Sequence, residues 1–554
     1  MSRARRMLWG QRISTGDGDL VADIAFPSGH DETTGPLPTL VARTPYSRQS
    51  FLSDNWLRLA DRGYVLVACD VRGRGDSDGR FAAWERDTEG GVAVIDWAAA
   101  QPWSDGRVGT IGGSYDGLTQ WWAAAGAPAP LRCIVPMAVG ARGRPGGRPF
   151  MDTGIPWQYW MWWFALVSGR TLQDVGATAW GRHWGHRPLR TFHEAAGFPT
   201  ASWPDYVEGR IDCLGPGWAL SDRELAAVEV PALVVLGWWD DLTTLETWQA
   251  LQAGPHAANK HLLVGAWDHI GNIVPRVRLG GEDVSAGTLD PLGVVGDFLD
   301  RYLKGDTTVR QLPRAKVWHS GANHWEDLAG YPAAADDQVL HFGLTEPGTG
   351  LLQPDPPSSS TSDEWSHDAT DPVATLTPLD NFAWSDPPHD QRYLEARPDV
   401  RIYTSEPLSE PVTVSGRVRF DLAVSADAAD ADVFAWVTDV HPDGRSMLPA
   451  GFELEGRRLS VRNGPQPELL DGGEVVRVEV DAQWLHHTFA VGHRIRVLVT
   501  SSFTPTTAPA NGTGEHWADQ EPGRPFTIRV HHGRAHPSVV HLPLRRPQDP
   551  KPVS

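Results

Sequence analysis

Gly112-Gly113-Ser114-Tyr115-Asp116-Gly117 sets a serine where a strand-like run, Arg107-Val108-Gly109-Thr110-Ile111-Gly112, gives way to a helical pattern, Tyr115 to Ala125. A hydroxyl held on so tight a turn projects over the strand ends, the position of a serine nucleophile in acyl transfer. The glycines let backbone segments approach closely. A helix N-terminus behind Ser114 adds amide donors and the positive end of a dipole for a developing oxyanion. The generic pattern wants Gly two residues after the serine, where this chain has Asp116. A Gly/Ser turn also arises by chance, so the serine needs partners.

Such a serine requires a histidine base and an acid to orient it, in the chain order Ser, acid, His. The strand-like run Leu233 to Leu236 leads into Gly237-Trp238-Trp239-Asp240-Asp241, and Leu262 to Val264 leads into Gly265-Ala266-Trp267-Asp268-His269. Asp240 and His269 lie 29 residues apart, room for one helix and one strand. Taken singly, Asp240 reads as a turn residue and His269 as a cap or surface histidine. In order, each at a strand end, they predict a Ser114-Asp240-His269 triad; Asp241 could exchange roles with Asp240, but the strand-end position favours Asp240. No His-Gly-Gly-Gly run follows the first strand to supply oxyanion amides. Arg43-Thr44-Pro45-Tyr46 stands there instead, and a phenol with a pKa of about 10 stays protonated at neutral pH and can donate.

Positioning these residues takes an alternation of buried strands and helices. Thr39 to Arg43, Tyr64 to Cys69, Arg107 to Gly112 and Leu131 to Pro136 are short apolar runs, with helical patterns at Glu89 to Ala100 and Tyr115 to Ala125. Unalternated strands separated by helices predict a doubly wound, mostly parallel sheet covered on both faces. The pattern breaks at the Gly/Arg/Pro-rich stretch from Gly140 to Arg148 and resumes at Pro231 to Leu236, then His261 to Val264, with a last helix from Pro291 to Leu303. Between them, Pro156 to Arg190 reads as aromatic helices. Residues 1–140 and 231–345 are thus expected as two parts of one α/β domain, with 141–230 a helical cap inserted over the site. Beyond a Pro/Ser-rich loop at Pro354 to Asp363, short alternating strands (Val400 to Tyr403, Val412 to Val414, Val418 to Val424, Val433 to Val437, Val475 to Val480, Ile495 to Val499) predict an all-β sandwich over 346–554.

Composition narrows the partners. The 554 residues, at about 100–200 per domain, imply several domains. The net charge of −20 argues against nucleic acid and anionic membrane as partners. No stretch approaches the ~20 apolar residues of a membrane span. The basic start runs into Gln11-Arg12 where a secretory leader needs an apolar run, so a cytoplasmic protein is expected. Cys69, Cys133 and Cys213 are too few and too scattered for a disulfide framework or a cysteine-based zinc site. Arg74-Gly75-Asp76 follows a buried strand and reads as a turn. His183 with His186, and His486-His487 with His493, lack nearby Cys or carboxylate spacing, so packing roles are expected rather than metal ligation.

Arg-x-Pro-Tyr, Asp70-Val71-Arg72-Gly73-Arg74-Gly75-Asp76-Ser77-Asp78-Gly79, Gly-x-Ser-Tyr-x-Gly, Gly-Trp-Trp-Asp and Gly-x-Trp-x-His together resemble the cocaine-esterase-like hydrolases. These are related to Xaa-Pro dipeptidyl-peptidases, α-amino acid ester hydrolases and glutaryl-cephalosporin acylases. The likeness continues in Phe298 to Gly305, Asp399 to Ser405 and Asp439-Val440-His441-Pro442-Asp443-Gly444, so it spans nearly the whole chain. The family's elbow tolerates a residue such as Asp116. The resemblance implies Ser114 as nucleophile, His269 as base, Asp240 as orienting acid, the Tyr115 amide and Tyr46 hydroxyl as oxyanion hole, and an α/β-hydrolase core with helical cap and jelly-roll. The expected partner is a small-molecule ester or amide, with no metal or organic cofactor; a homo-oligomer is compatible with this. With 26 tryptophans in the chain, Trp157 and Trp160 of the insertion, and Trp238, Trp239, Leu242 and Trp267 beside the acid and base, are expected to line or support a pocket for a bulky apolar or aromatic group. An α-amino ester hydrolase would carry acids where Leu242 and Thr243 stand. An acyltransferase using the same triad stays open, as does a carbohydrate-binding protein with a dead α/β domain.

Overall fold

Leu40-Val41-Ala42 and Val65-Leu66-Val67-Ala68 carry no polar alternation, and in the fold both faces of these strands are covered. Val41, Val65 and Val67 pack with Val94 and Ile95 of the helix Thr88–Ala99 and with Leu118, Trp121 and Trp122 of the helix Tyr115–Ala125. Leu40, Ala42, Leu66 and Ala68 face Leu59, Phe298 and Leu299, from the helices Asp54–Asp61 and Pro291–Tyr302. Each large aliphatic side chain buried in this way contributes roughly 1.5–3 kcal/mol, which fixes the helices on their faces of the sheet. The computed structural model describes residues 5–30, 35–142, 155–198, 200–211, 217–240, 242–272, 277–280, 282–333, 335–346, 349–374, 390–451, 456–464 and 466–545. Asp241, Cys213 and most of the linker expected from Gly140 to Arg148 lie outside them. Cys69 and Cys133 are buried free thiols.

The first sheet has ten strands: β1 (Met7–Thr15), β2 (Gly18–Ala25), β3 (Leu37–Thr44), β4 (Val65–Asp70), β5 (Ser104–Gly113), β6 (Leu131–Met137), β7 (Ala232–Trp239), β8 (Lys260–Asp268), β9 (Ala315–His319) and β10 (His324–Leu328). Their order is β1-β2-β4-β3-β5-β6-β7-β8-β9-β10. From β4 across to β9 every neighbour is parallel, as the buried runs predict. Antiparallel pairs close both edges, β1 and β2 on one side and β10 on the other. β1 and β10 escape the sequence reading because they are only partly buried and carry polar residues among the apolar ones.

The segment between β6 and β7 is less helical than its aromatic content suggests. Trp157–Leu166 is an α-helix of ten residues, but Val175–Ala177, Trp180–Arg182 and Leu189–Thr191 are isolated 3-10 turns. Gly176, Gly181, Gly185 and Pro188 recur too closely for a second long helix to nucleate. Stacked rings hold the segment instead: Trp180 on Trp184 and Phe192, with Trp157 edge-on to Trp184 and Phe192.

Among the described residues, the rest of the chain is all-β apart from short turns such as the four-residue helix Arg392–Glu395. It forms a twelve-stranded sheet that is antiparallel except where Thr349–Gln353 meets Arg401–Thr404. Its first strand is Ala335–Glu346, so it starts at 335 rather than 346; Asp336-Asp337-Gln338 obscure the apolar alternation of Leu340 and Phe342. Thr361–His367 is a strand whose start was expected as loop. The two strands expected at 412–414 and 418–424 are one, Val412–Ala426, with its ladder irregular at Arg417/Arg419 beside Gly416, φ 142°. No helix of the described residues is long and apolar enough to cross a membrane.

Candidate active site

Gly112, next to last in β5, takes φ 149°, and a Cβ there would lie 2.6 Å from the Asp116 Cβ. A Cβ on Gly117 would lie 2.5 Å from Val139 Cγ1. Both glycines are therefore required by close approach. Between them Ser114 takes φ 59°, ψ −133°, a conformation that costs a non-glycine residue about 1–3 kcal/mol. Surrounding bonds hold it there: the Ser114 amide donates to the Met137 carbonyl (2.9 Å), and its own carbonyl accepts from the Gly117 amide (2.9 Å). Ser114 Oγ thereby comes 3.0 Å from the Tyr46 hydroxyl, carried on the loop after β3.

Tyr46 is fixed from two sides. Its amide donates to Thr44 Oγ1 (3.0 Å), and its phenol oxygen accepts from Trp163 Nε1 (3.2 Å). Burial, reinforced by the charge of Asp116, pushes the Tyr46 phenol up to about 12, so it stays a donor at neutral pH. Tyr115 opens the helix behind Ser114, and its N–H is among those a helix leaves without an intrahelical partner. Its ring stacks on Trp163 at 5.6 Å, and Phe81 and Trp84 close round both rings. Asp116 is buried, its Oδ1 has no hydrogen-bond partner among the described residues, and burial raises its carboxyl well above the usual range against the opposing Thr44 bond.

β7 and β8 are adjacent parallel strands paired up to Trp239 and Asp268. Asp240 and His269 follow their ends, at the same sheet edge as Ser114 because β5, β6, β7 and β8 run parallel in order. Asp240 Oδ1 accepts from His269 Nδ1 at 2.7 Å, which leaves Nε2 as the basic nitrogen. Asp240 Oδ2 accepts from Asn272 Nδ2 at 2.7 Å, and the same amide reaches the carbonyls of Asp268 (3.1 Å) and His269 (3.2 Å). The arrangement can orient an imidazole as a base on one side of the edge and present a hydroxyl beside a phenol donor on the other.

The aromatic residues fall differently from expectation. Trp238 donates to the Trp318 carbonyl (2.6 Å) and packs edge-on to Tyr331; Trp239 donates to the Leu448 carbonyl (3.3 Å) in the second domain. Trp267 packs on Trp325, and Trp157 is wholly buried against Trp184, Phe192 and Trp203. These positions are structural joints. Trp160 packs on Trp84 and Trp163, one layer behind the Ser114–Tyr46 pair, and Leu242 is half-buried against the core. The tryptophan that meets the pair is Trp163. Sequence reasoning assigned neither Trp163 nor Asn272 to the site: one is lost in a Trp-rich helix, and the other stands three residues past the histidine with no motif of its own. Arg74 is buried, bonded to the carbonyls of Pro45 (2.6 Å) and Val167 (2.9 Å), so the Arg-Gly-Asp tripeptide is a structural turn.

Two family descriptions match the chain: "X-Pro dipeptidyl-peptidase (S15 family)" over residues 17–271 and "X-Pro dipeptidyl-peptidase C-terminal non-catalytic domain" over 307–541. A cocaine esterase of Rhodococcus sp. (strain MB1 Bresler) is 30% identical over 558 residues, covering 93% of this chain and 94% of the esterase. In three dimensions the chain is similar to an α-amino acid ester hydrolase (TM-score 0.86, 23% identity, 98% of this chain and 97% of that one). It is also similar to an aminopeptidase from a marine-sediment Thaumarchaeota archaeon (TM-score 0.84, 23% identity, 98% and 97%). The fold is of the α/β-hydrolase type followed by an all-β domain, and the chain belongs to the cocaine-esterase-like family of serine hydrolases, kin of the X-Pro dipeptidyl-peptidases.

Proposed function

We propose that the chain cleaves a small-molecule ester or amide through an acyl-enzyme on Ser114. His269 Nε2 takes the Ser114 proton as Oγ attacks the carbonyl carbon, and Asp240 stabilises the imidazolium that results. The Tyr46 hydroxyl and Tyr115 N–H hold the oxyanion. His269 then passes its proton to the leaving group, and repeats the cycle with water to release the acid. The observation that carries this reading is the strained Ser114, with its Oγ against the Tyr46 hydroxyl, sharing a sheet edge with the bonded Asp240–His269 pair. In this reading residues 141–230 are the cap and the all-β domain is a jelly-roll.

Tyr46→Phe removes one oxygen and keeps the ring, so kcat should fall about 10²–10³-fold, the usual loss for one oxyanion donor, with little change in unfolding temperature. A rate equal to the parent's would return Tyr46 to a packing role.

The acyl pocket is proposed to be aromatic, because Phe81, Trp84 and Trp163 gather round Tyr115 and Trp163 touches Tyr46. Benzoyl or phenylacetyl esters should therefore show higher kcat/KM than acetyl esters of the same alcohol. A preference for acetyl would mean that this aromatic layer only packs the insertion. Acyl transfer to an alcohol would use the same residues, and a competing alcohol in that assay separates it from hydrolysis.

A further inference from the structure

His486 and His487 are neighbours on the strand Val476–Phe489 and so face opposite sides of it. His486 turns to Ser415 (3.0 Å) and Glu326 (3.5 Å); His487 turns to Ser320 (2.6 Å) and Asp439 (3.0 Å). The carboxylate that the linear sequence does not place near His487 and His493 is Asp439, buried near the end of the strand Asp432–Val440. Its Oδ1 lies 2.8 Å from His493 Nδ1, and its Oδ2 lies 3.0 Å from His487 Nε2 and 3.9 Å from His441 Nε2. One ligand atom from each of Asp439, His441 and His493 falls within 4.8 Å of the others. Small side-chain rotations would bring them to the roughly 3.3 Å separation that bonds of about 2.0–2.2 Å impose in a tetrahedral site.

We propose that Asp439, His441 and His493 bind a zinc ion, with His487 as the outer partner that orients the carboxylate. Imidazole with one carboxylate is a donor set suited to zinc, and three protein ligands leave a fourth position for water. Ser320 holds the far nitrogen of His487 across the domain boundary, as outer-shell partners do. Arg445 opposes binding: its Nη2 lies 3.2 Å from His441 Nδ1, though its other donors go to Asp443 and Glu282. Zinc requires that contact to be released. The second grouping, His319, His324 and Glu326, is the weaker candidate because Arg545 already neutralises its carboxylate.

The full chain, stripped with a chelator and dialysed, is titrated with zinc chloride by calorimetry and with cobalt(II) by visible absorption. The expected result is one zinc per chain with Kd below about 1 µM, cobalt bands of a tetrahedral site, and a higher unfolding temperature with zinc. His441→Ala, His441→Gln and His493→Ala should each weaken zinc about 100-fold or more at unchanged ester hydrolysis, His319→Ala should bind as the parent does, and Arg445→Ala at least as tightly. Parent binding no tighter than about 100 µM would overturn the site. So would a His441→Gln chain with parental circular dichroism and parental zinc affinity.

Discussion

Ser114→Ala is expected to lower kcat for ester hydrolysis by about 10⁶-fold, the loss that follows removal of a serine nucleophile. The substitution deletes one hydroxyl and leaves the Ser114 amide bond to Met137 and the glycine contacts on either side intact. Alanine carries the same Cβ at φ 59°, so the strain of the turn is unchanged and the unfolding temperature should match the parent's. Single-turnover assays with a chromogenic ester, together with labelling by a fluorophosphonate probe, read the result. A variant that retains more than about a hundredth of the parent rate would remove Ser114 from the chemistry. The same result with labelling lost would show that the probe and the substrate use different groups.

Asp240→Asn should cost about 10⁴-fold in kcat, through the tautomer of His269 rather than through charge alone. The Asn272 amide is pinned by the carbonyls of Asp268 and His269 and presents its N–H to residue 240. An asparagine there must turn its single carbonyl oxygen to Asn272, which leaves its NH₂ facing His269 Nδ1. The imidazole then carries its proton on Nε2 and cannot accept one from Ser114. KM should change little, because the substituted group does not touch substrate. A loss of less than tenfold would mean that Asp240 is a turn residue and that the base is oriented from elsewhere.

Much of this site is legible before folding. Ser114, Asp240 and His269 each follow an apolar run, and parallel strands carry the residues after their C-terminal ends to one edge of the sheet, so chain order and local pattern suffice to bring the three to that edge. The α/β core is legible for the same reason: strands covered on both faces leave runs such as Val65-Leu66-Val67-Ala68 without alternation. The edge strands β1 and β10 are not, because half-covered strands carry polar residues that resemble loop. Tryptophan content misleads in the other direction. Trp238 and Trp239 stand directly before Asp240, yet a strand sends successive side chains to opposite faces, and these two bond to Trp318 and Leu448.

The sequence by itself determined the residue types of the candidate site, their order, and the class of sheet that presents them, because these follow from spacing, strand burial and turn chemistry within short windows. Only the tertiary structure decided which side chains meet. Trp163 reaches Tyr46 from 117 residues away, Asn272 bonds the second oxygen of Asp240, and Asp439 stands between His487 and His493. Such contacts depend on how separate elements pack, and local periodicity specifies which face of an element is buried without specifying what buries it.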